Sequence, residues 1–342
     1  MASSYDSLDY TPLTDPVSSA DIQAFKTGEL AAAPQKSSAI STTALITVAS
    51  VLVVFIAIFA AVSASSPLGM VPMVVGIIIV SLLVGGIYAS TRLREKTLAK
   101  LYKFATRNQL VLSHDVSSPN YVGMIFGEGD ARVLRESLVF PGSIEIGNYQ
   151  YDTGSGKSRQ THHWGYVRIK LARRLPNMVL DAKSNNFFGV ISNLPDSFSK
   201  GQKMSLEGDF DNYFTLYAPT EYKTDALYVF TPDVMSAIID SGKSYDMEVV
   251  DDNLMIYSGS HFSLTSADEL KSLLEIAEKI GDEIKEQSEY YADERVASRS
   301  ENVVAEPGQR LKKGVSWVLI VVIILVVLYN LLHIIGVFRS NF

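Results

Sequence analysis

The chain has no cysteine. Disulfides, thiol catalysis and cysteine-ligated metal sites are therefore excluded, while the redox state of the compartment stays open. Histidine is scarce, with five in 342 residues. His162 and His163 are adjacent, so on a strand they face opposite sides and cannot share one metal ion. His114 and His261 stand alone in sequence, and His333 lies near the end of an apolar run. An excess of positive charge is also missing: 30 Lys and Arg against 37 Asp and Glu give a net charge of −7. Phosphate backbones need clustered cations, so nucleic acid is not the expected partner. No Gly-x-Ser-x-Gly elbow, His-Glu-x-x-His pair or Gly-x-Gly-x-x-Gly fingerprint occurs. No cofactor and no metal are expected, and no motif names a catalytic residue.

What the chain has in quantity is long apolar runs. Residues 40–64 and 68–91 carry no charge, and His333 alone interrupts residues 315–338. About 20 apolar residues suffice to cross the ~30 Å hydrocarbon core as a helix. These runs are apolar all round rather than along one stripe, which predicts three membrane helices and a lipid bilayer as partner. None of them holds Asp, Glu, Lys or Arg, the residues that ion-coupled transport through a membrane helix generally uses. Transport by this chain alone is therefore disfavoured.

Flanking charges orient the spans. No Lys or Arg lies around Ser65-Ser66-Pro67, between the first two runs. After the second come Arg92, Arg94, Lys96, Lys100, Lys103 and Arg107. Arg310, Lys312 and Lys313 precede the third, and Arg339 follows it. The positive-inside rule then puts the N-terminus and residues 92–314 in the cytoplasm and the C-terminus outside, as a multi-pass protein of the cell membrane. The expected organisation is a cytosolic tail (1–39), a transmembrane hairpin (40–91), a cytosolic α+β domain (92–292), a linker (293–314), a third membrane helix (315–338) and an external tail (339–342). The tail, rich in Ser, Thr, Ala and Pro and carrying five acids, is expected to be disordered.

Within the cytosolic domain the expectation is mainly antiparallel strands with flanking helices. Leu98, Leu101, Tyr102, Ala105 and Leu112 form the apolar stripe of a helix over 93–112 that continues from the second span. Residues 121–126, 131–140, 143–151 and 163–171 read as strands, and 173–182 as a loop entering another. Thr231-Pro232-Asp233 opens a short helix. Asp251-Asp252-Asn253 reads as a hairpin turn between strands 245–250 and 254–257. Ser266-x-x-Glu269 is a capping box, and Leu270, Leu273, Leu274, Ala277, Ile280 and Ile284 line the buried face of the helix that follows.

Gly156-Lys157-Ser158 matches the close of a phosphate-binding loop, but Tyr151 stands where the motif needs its first glycine. A helix must follow such a loop to offer its N-terminal amides. A strand pattern follows instead, so residues 152–161 read as a hairpin loop with Lys157 and Arg159 in solvent. Asp209 and Asp211 have the spacing that starts a calcium loop, yet Phe214 and Thr220 occupy the positions that need Gly and Glu. Asp246, Glu248, Asp251 and Asp252 are read as a solvated strand edge and turn.

The phrases "GNYQY", "WGYVRIKLARRLPNMVLDAK", "LEGDFDNYFTLYAP", "DALYVFTPDVM" and "DMEVVDDNLMIYS" resemble a family of bacterial membrane proteins that join N-terminal membrane helices to a domain of unknown function. The resemblance covers residues 100–260 and implies a bacterial plasma-membrane location and an α+β domain. It brings no ligand or catalytic residue.

The leading functional reading is a binding or scaffolding domain that docks a protein partner or a second copy at the inner membrane face. Its motive is the lack of a catalytic constellation together with Tyr- and Phe-rich strand edges over 213–230. The rival is a membrane-tethered enzyme using groups such as His162, His163, Asp209 or Asp211. A third reading is an accessory subunit of a transporter.

Overall fold

The computed structural model describes residues 5–30, 70–187, 191–298, 301–314, 323–331 and 333. The predicted span over 40–64 lies outside them, as does most of 315–338, of which 323–331 are helical. The chain mixes helices with an antiparallel sheet, as the α+β expectation requires, and divides into two compact units. One comprises Ser7–Asp115 with Leu264–Ala267; the other comprises Met1–Asp6, Val116–Ser263 and Asp268–Phe342.

The first unit is helical. Helix α1 covers Ser19–Leu30 and helix α2 covers Met70–Asn108, 39 residues in all. At 1.5 Å per residue α2 is about 58 Å long, well beyond the ~30 Å of a bilayer core. Its two halves are chemically distinct. Ile77, Ile78, Ile79, Leu82 and Leu83 are exposed, Leu82 by 71%, so none of the described residues covers them. The charged half is packed: Leu98 and Ala99 bury against Ile22 and Phe25 of α1, with Val17 and Tyr102 beside them. Among the described residues α2 is the one helix long and apolar enough to cross a membrane.

The tail expected to be disordered is therefore ordered over much of its length. A turn at Thr11–Thr14 and helix α1 lie along α2, with Tyr10 on Phe104 at 5.6 Å. Asp9 receives Nε of Arg107 at 2.8 Å, and the Asn108 amide bonds both ways with the Asp9 backbone at 2.8 and 3.0 Å. Lys100 reaches the carbonyl of Leu13 at 2.8 Å. Composition predicts disorder because it counts apolar residues; over residues 7–30 Leu13, Ile22 and Phe25 are buried, the last two against α2.

The second unit is built on a sheet. After β1 (Val111–Ser117), which straddles the division between units, come β2 (Asp130–Phe140), β3 (Ile144–Thr153) and β4 (Gln160–Ala182). They are followed by β5 (Lys203–Met204), β6 (Phe214–Tyr217) and β7 (Asp246–Ser258). The order is β2-β3-β4-β6-β5, with β7 along the other side of β4. Every pairing from β2 onward is antiparallel. Helix α3 (Lys223–Val229), helix α4 (Pro232–Gly242) and helix α5 (Ala267–Tyr290) complete the unit. Thr231 caps α4 by accepting Val234 N–H, and all six predicted stripe residues of α5 are buried. Gly281 lets α5 approach Ile169 of β4: a Cβ there would stand 3.1 Å from the Ile169 side chain.

Three local expectations give way. Residues 121–126 are not a strand; Gly123, at φ +119°, leads into a single 3₁₀ turn over Met124–Gly127. Strand β4 runs unbroken for 23 residues, Gln160–Ala182, with no loop at the start of 173–182. Asp251-Asp252-Asn253 is not a hairpin turn, because β7 continues through it for 13 residues. Asp251 takes φ +53° there, where the β4–β7 register shifts and the pairing bulges, with the extra residues on β4. A bulge and a hairpin turn both use residues that tolerate left-handed backbone, which is why the sequence signal is the same. The bulge also exchanges the strand's faces, so Val250 before it and Met255 and Tyr257 after it join one core with Trp164 and Tyr166.

The region 293–314, expected as a linker, is stitched to the sheet unit. Leu311 N–H donates to Asn177 Oδ1 at 2.9 Å and Lys312 N–H to Gln202 Oε1 at 2.7 Å. Asp293 is buried, accepts the Tyr222 hydroxyl at 2.6 Å, and pairs with Arg295 at 3.2 Å. The aromatic stretch 213–230 is likewise not an exposed edge. Strand β6 pairs on both sides, and Phe214, Tyr222 and Phe230 are buried, leaving Leu227 and Tyr228 outside.

Candidate functional site

The β3–β4 hairpin places the predicted phosphate-loop residues in solvent. Gly154 and Gly156 take φ +73° and +55°, and Gly156–Ser158 is a 3₁₀ turn with a strand behind it, so no helix N-terminus faces the loop. Lys157 is exposed, but Arg159 is not free as expected: its Nε donates to Asp152 at 3.0 Å. Asp152 also accepts from Thr161 at 2.6 Å; the Thr161 and Arg159 bonds hold its carboxyl below the usual range.

His162 and His163 project to opposite faces of β4. His162 stacks on Tyr151 at 4.9 Å and bonds Thr153 at 2.8 Å. His163 meets His261 edge to face at 4.8 Å, a pairing invisible in the sequence. Half-buried His261 bonds the Tyr149 carbonyl at 3.2 Å, and burial lowers its pKa. Asp211 belongs elsewhere, on the short turn Phe210–Tyr213 leading into β6, where it accepts from Ser205 and from Leu206 N–H. Strand β6 pairs with the far end of β4, at Val179–Ala182, whereas the histidines pair with β3 near its start. The fold thus separates the groups of the enzyme reading instead of gathering them.

Buried carboxylates mark three other places. Glu145, 2% exposed, receives Tyr121 and Tyr166 hydroxyls at 2.8 and 2.7 Å on one oxygen and Arg168 at 2.6 and 3.0 Å on the other. Arg168 also lies 4.8 Å over the Tyr121 ring. Glu248 accepts Met124 N–H at 2.7 Å, Tyr257 at 2.8 Å and Asn177 at 3.1 Å. Burial raises its pKa, and Gly123 leaves the space in which the Tyr257 hydroxyl sits. Both sites are saturated with donors, as buried charge requires.

The third place is different. Asp181 closes the apolar run Val179-Leu180-Asp181-Ala182 of β4, and Asp246 opens β7. The last registered pair is Leu180 with Met247, so the next positions, Asp181 and Asp246, oppose each other on one face. Both are buried, Asp246 completely. Asp246 accepts Ala182 N–H at 2.8 Å and the Asn185 amide at 2.9 Å. Burial, reinforced by Asp181, pushes its pKa up to about 7. Burial likewise raises Asp181, although Asn186 and Ser192 oppose the shift. Asp181 Oδ1, Asn185 Oδ1 and Asn193 Oδ1 are buried with no hydrogen-bond partner.

Asp246 and Glu248 are therefore interior groups, not the solvated edge expected. Alternation along β7 implies an edge, but its backbone pairing with β4 and the loops laid over it remove both carboxylates from water. Sequence reasoning misses Asp181. The signal available is a carboxylate within the apolar run 178–182 at the end of β4, followed by the amide-rich Asn185-Asn186 and Ser192-Asn193. A shallow depression of about 350 Å³ adjoins this end of the unit, lined by Lys183, Ser184, Asn212, Tyr213, Lys243 and Ser244.

No family model matches the chain, and no curated protein matches it. A solved structure with some likeness is the crystal structure of the mycobacterial trehalose monomycolate transport factor A, TtfA. It is 7% identical, with 53% of this chain and 90% of that chain covered and a TM-score of 0.35.

Proposed function

We propose that the chain is a multi-pass protein of the cell membrane whose large sheet unit serves as a cytoplasmic binding or scaffolding module for a protein partner or a second copy. The observation that carries this reading is helix α2, whose apolar half is exposed among the described residues while its charged half is clasped by residues 9–28. An N-terminal segment docked on the charged half of α2 must share its side of the membrane. The chain between them then crosses an even number of times, which fits a hairpin of spans over 40–64 and 68–91. The third span, over 315–338, would put the C-terminus outside. The scattered histidines and turn carboxylates favour binding over catalysis.

The absence of cysteine makes the test clean. Single-cysteine variants Ala20→Cys, Lys157→Cys and Ser340→Cys are labelled in intact cells with a membrane-impermeant maleimide. The Lys157→Cys variant is also treated with a membrane-permeant crosslinker that reacts with its one thiol. We expect labelling of the Ser340 position alone before lysis, and a reproducible crosslinked species from the Lys157 position. Labelling at Ala20 in intact cells would overturn the topology. A sheet unit that crosslinks to nothing in native membranes would overturn the scaffolding role.

A further inference from the structure

We propose that the joined ends of β4 and β7 bind a hard divalent cation of the calcium class, held by Asp181, Asp246, Asn185 and Asn193. Like charges directly opposite on neighbouring strands repel, and burial magnifies the penalty. Two aspartates in that relation need either a shared proton or a counter-charge. Arg168 supplies one to Glu145, but no Lys or Arg among the described residues makes an ion pair with Asp181 or Asp246. Lys183, bonded to the Asp211 carbonyl, and Lys203 act on Asp181 only through space.

The orphan atoms point to a ligand. Buried oxygens without donors are rare in folded proteins, and of six buried orphan side-chain atoms among the described residues three belong to Asp181 and to the two asparagines beside Asp246. The chain builds the arrangement locally. Backbone hydrogen bonds of 2.8 and 3.0 Å between Phe187 and Ile191 close a small loop that sets Asn185–Asn186 and Ser192–Asn193 on its two arms. Asn193 N–H bonds Asn186 Oδ1 at 3.3 Å and pins the arms together. The amides of Asn185 and Asn193 both donate toward Asp246. A half-turn of each amide about its Cβ–Cγ bond exchanges nitrogen for oxygen and turns an acceptor toward the same point.

The donor set selects the ion. Two carboxylates and two amide oxygens, with no imidazole or thiolate, suit a hard cation rather than zinc or copper. Calcium accepts six to eight oxygens in adaptable geometry and uses Asn carbonyls readily, whereas magnesium demands an octahedron and keeps its waters. The bound ion would fasten the loop after β4 to the start of β7.

The test uses the full-length chain in detergent. Calcium chloride titrations by calorimetry and by thermal unfolding should give one site and an unfolding temperature that climbs with calcium concentration, as mass action requires. Asp181→Asn and Asp246→Asn should each weaken binding at least about tenfold, since loss of groups that merely support a ligand already costs about 10–100-fold. Both variants should fold, because each removes a buried charge at constant shape. A wild-type chain indifferent to calcium would overturn the proposal, as would an unchanged response in both variants. An equal response to magnesium would overturn the choice of ion. Should a variant fail to fold, terbium serves as the probe for the wild type. Its luminescence, sensitised by Tyr217, which senses the Asp181 charge, should be displaced by calcium. Lack of displaceable luminescence counts against the site.

Discussion

Strand β4 carries two buried acidic places, and they are solved in opposite ways. Near its start Arg168 faces Glu145 across the β3 ladder, and two tyrosines fill the remaining acceptor sites. At its end Asp181 faces another carboxylate, and oxygens are left without donors. The same sheet therefore shows what a self-sufficient buried charge looks like and what an incomplete one looks like. Three of the six buried orphan side-chain atoms among the described residues gather at that corner, while those of Ser137, Trp164 and Asn253 stand apart.

The comparison can be broken at its stronger member. Glu145→Ala leaves the Arg168 guanidinium without its carboxylate and two tyrosine hydroxyls unsatisfied, and should cost about 3–5 kcal/mol in urea-induced unfolding. A cost below about 1 kcal/mol would mean that Glu145 is no more integral than a surface acid. At the hairpin tip the same acid–arginine chemistry recurs with the Arg159 side chain 59% exposed. Arg159→Ala should lower stability by less than about 1 kcal/mol in the same assay, because solvent and salt screen such pairs. Equal losses for the two variants would show that burial does not set their strength.

The smallest effect concerns a buried group that avoids charge. Burial keeps the folded pKa of His261 below its ordinary value of 6.5, with neighbouring His163 adding to the shift. As pH falls below about 6.5 the unfolded chain takes up this proton before the folded one, so His261 contributes stability above that pH and loses it on acidification. Imidazole NMR titration should place its midpoint below 6.5, and His163→Ala should move it upward. A midpoint above 6.5 would mean that His261 is charged in the fold, like the paired groups and unlike the orphaned ones.

Much of the architecture is legible in the sequence. The stripe of α5 and the cap of α4 are local patterns of side-chain spacing, and both appear where spacing places them. The β3–β4 hairpin is readable because alternation on each side of a Gly-rich loop fixes register. Reading fails where one local signal serves two structures. Left-handed Asp251 lies where the pairing of a continuous strand bulges, not where the strand ends, and the short apolar run 121–126 curls into a 3₁₀ turn because Gly123 must clear the Tyr257 hydroxyl. Composition misreads the 7–30 segment because it sums residues without asking whether they face one way.

The sequence by itself determined the uncharged, apolar half of α2, the absence of thiol chemistry and the helical and strand periods, since each depends on composition or on neighbours in the chain. Tertiary structure alone decided which carboxylates lose their water. Asp181 and Asp246 lie far apart in sequence and meet only because β7 returns along β4. Burial and opposition are properties of the pairing, and no spacing within either strand encodes them.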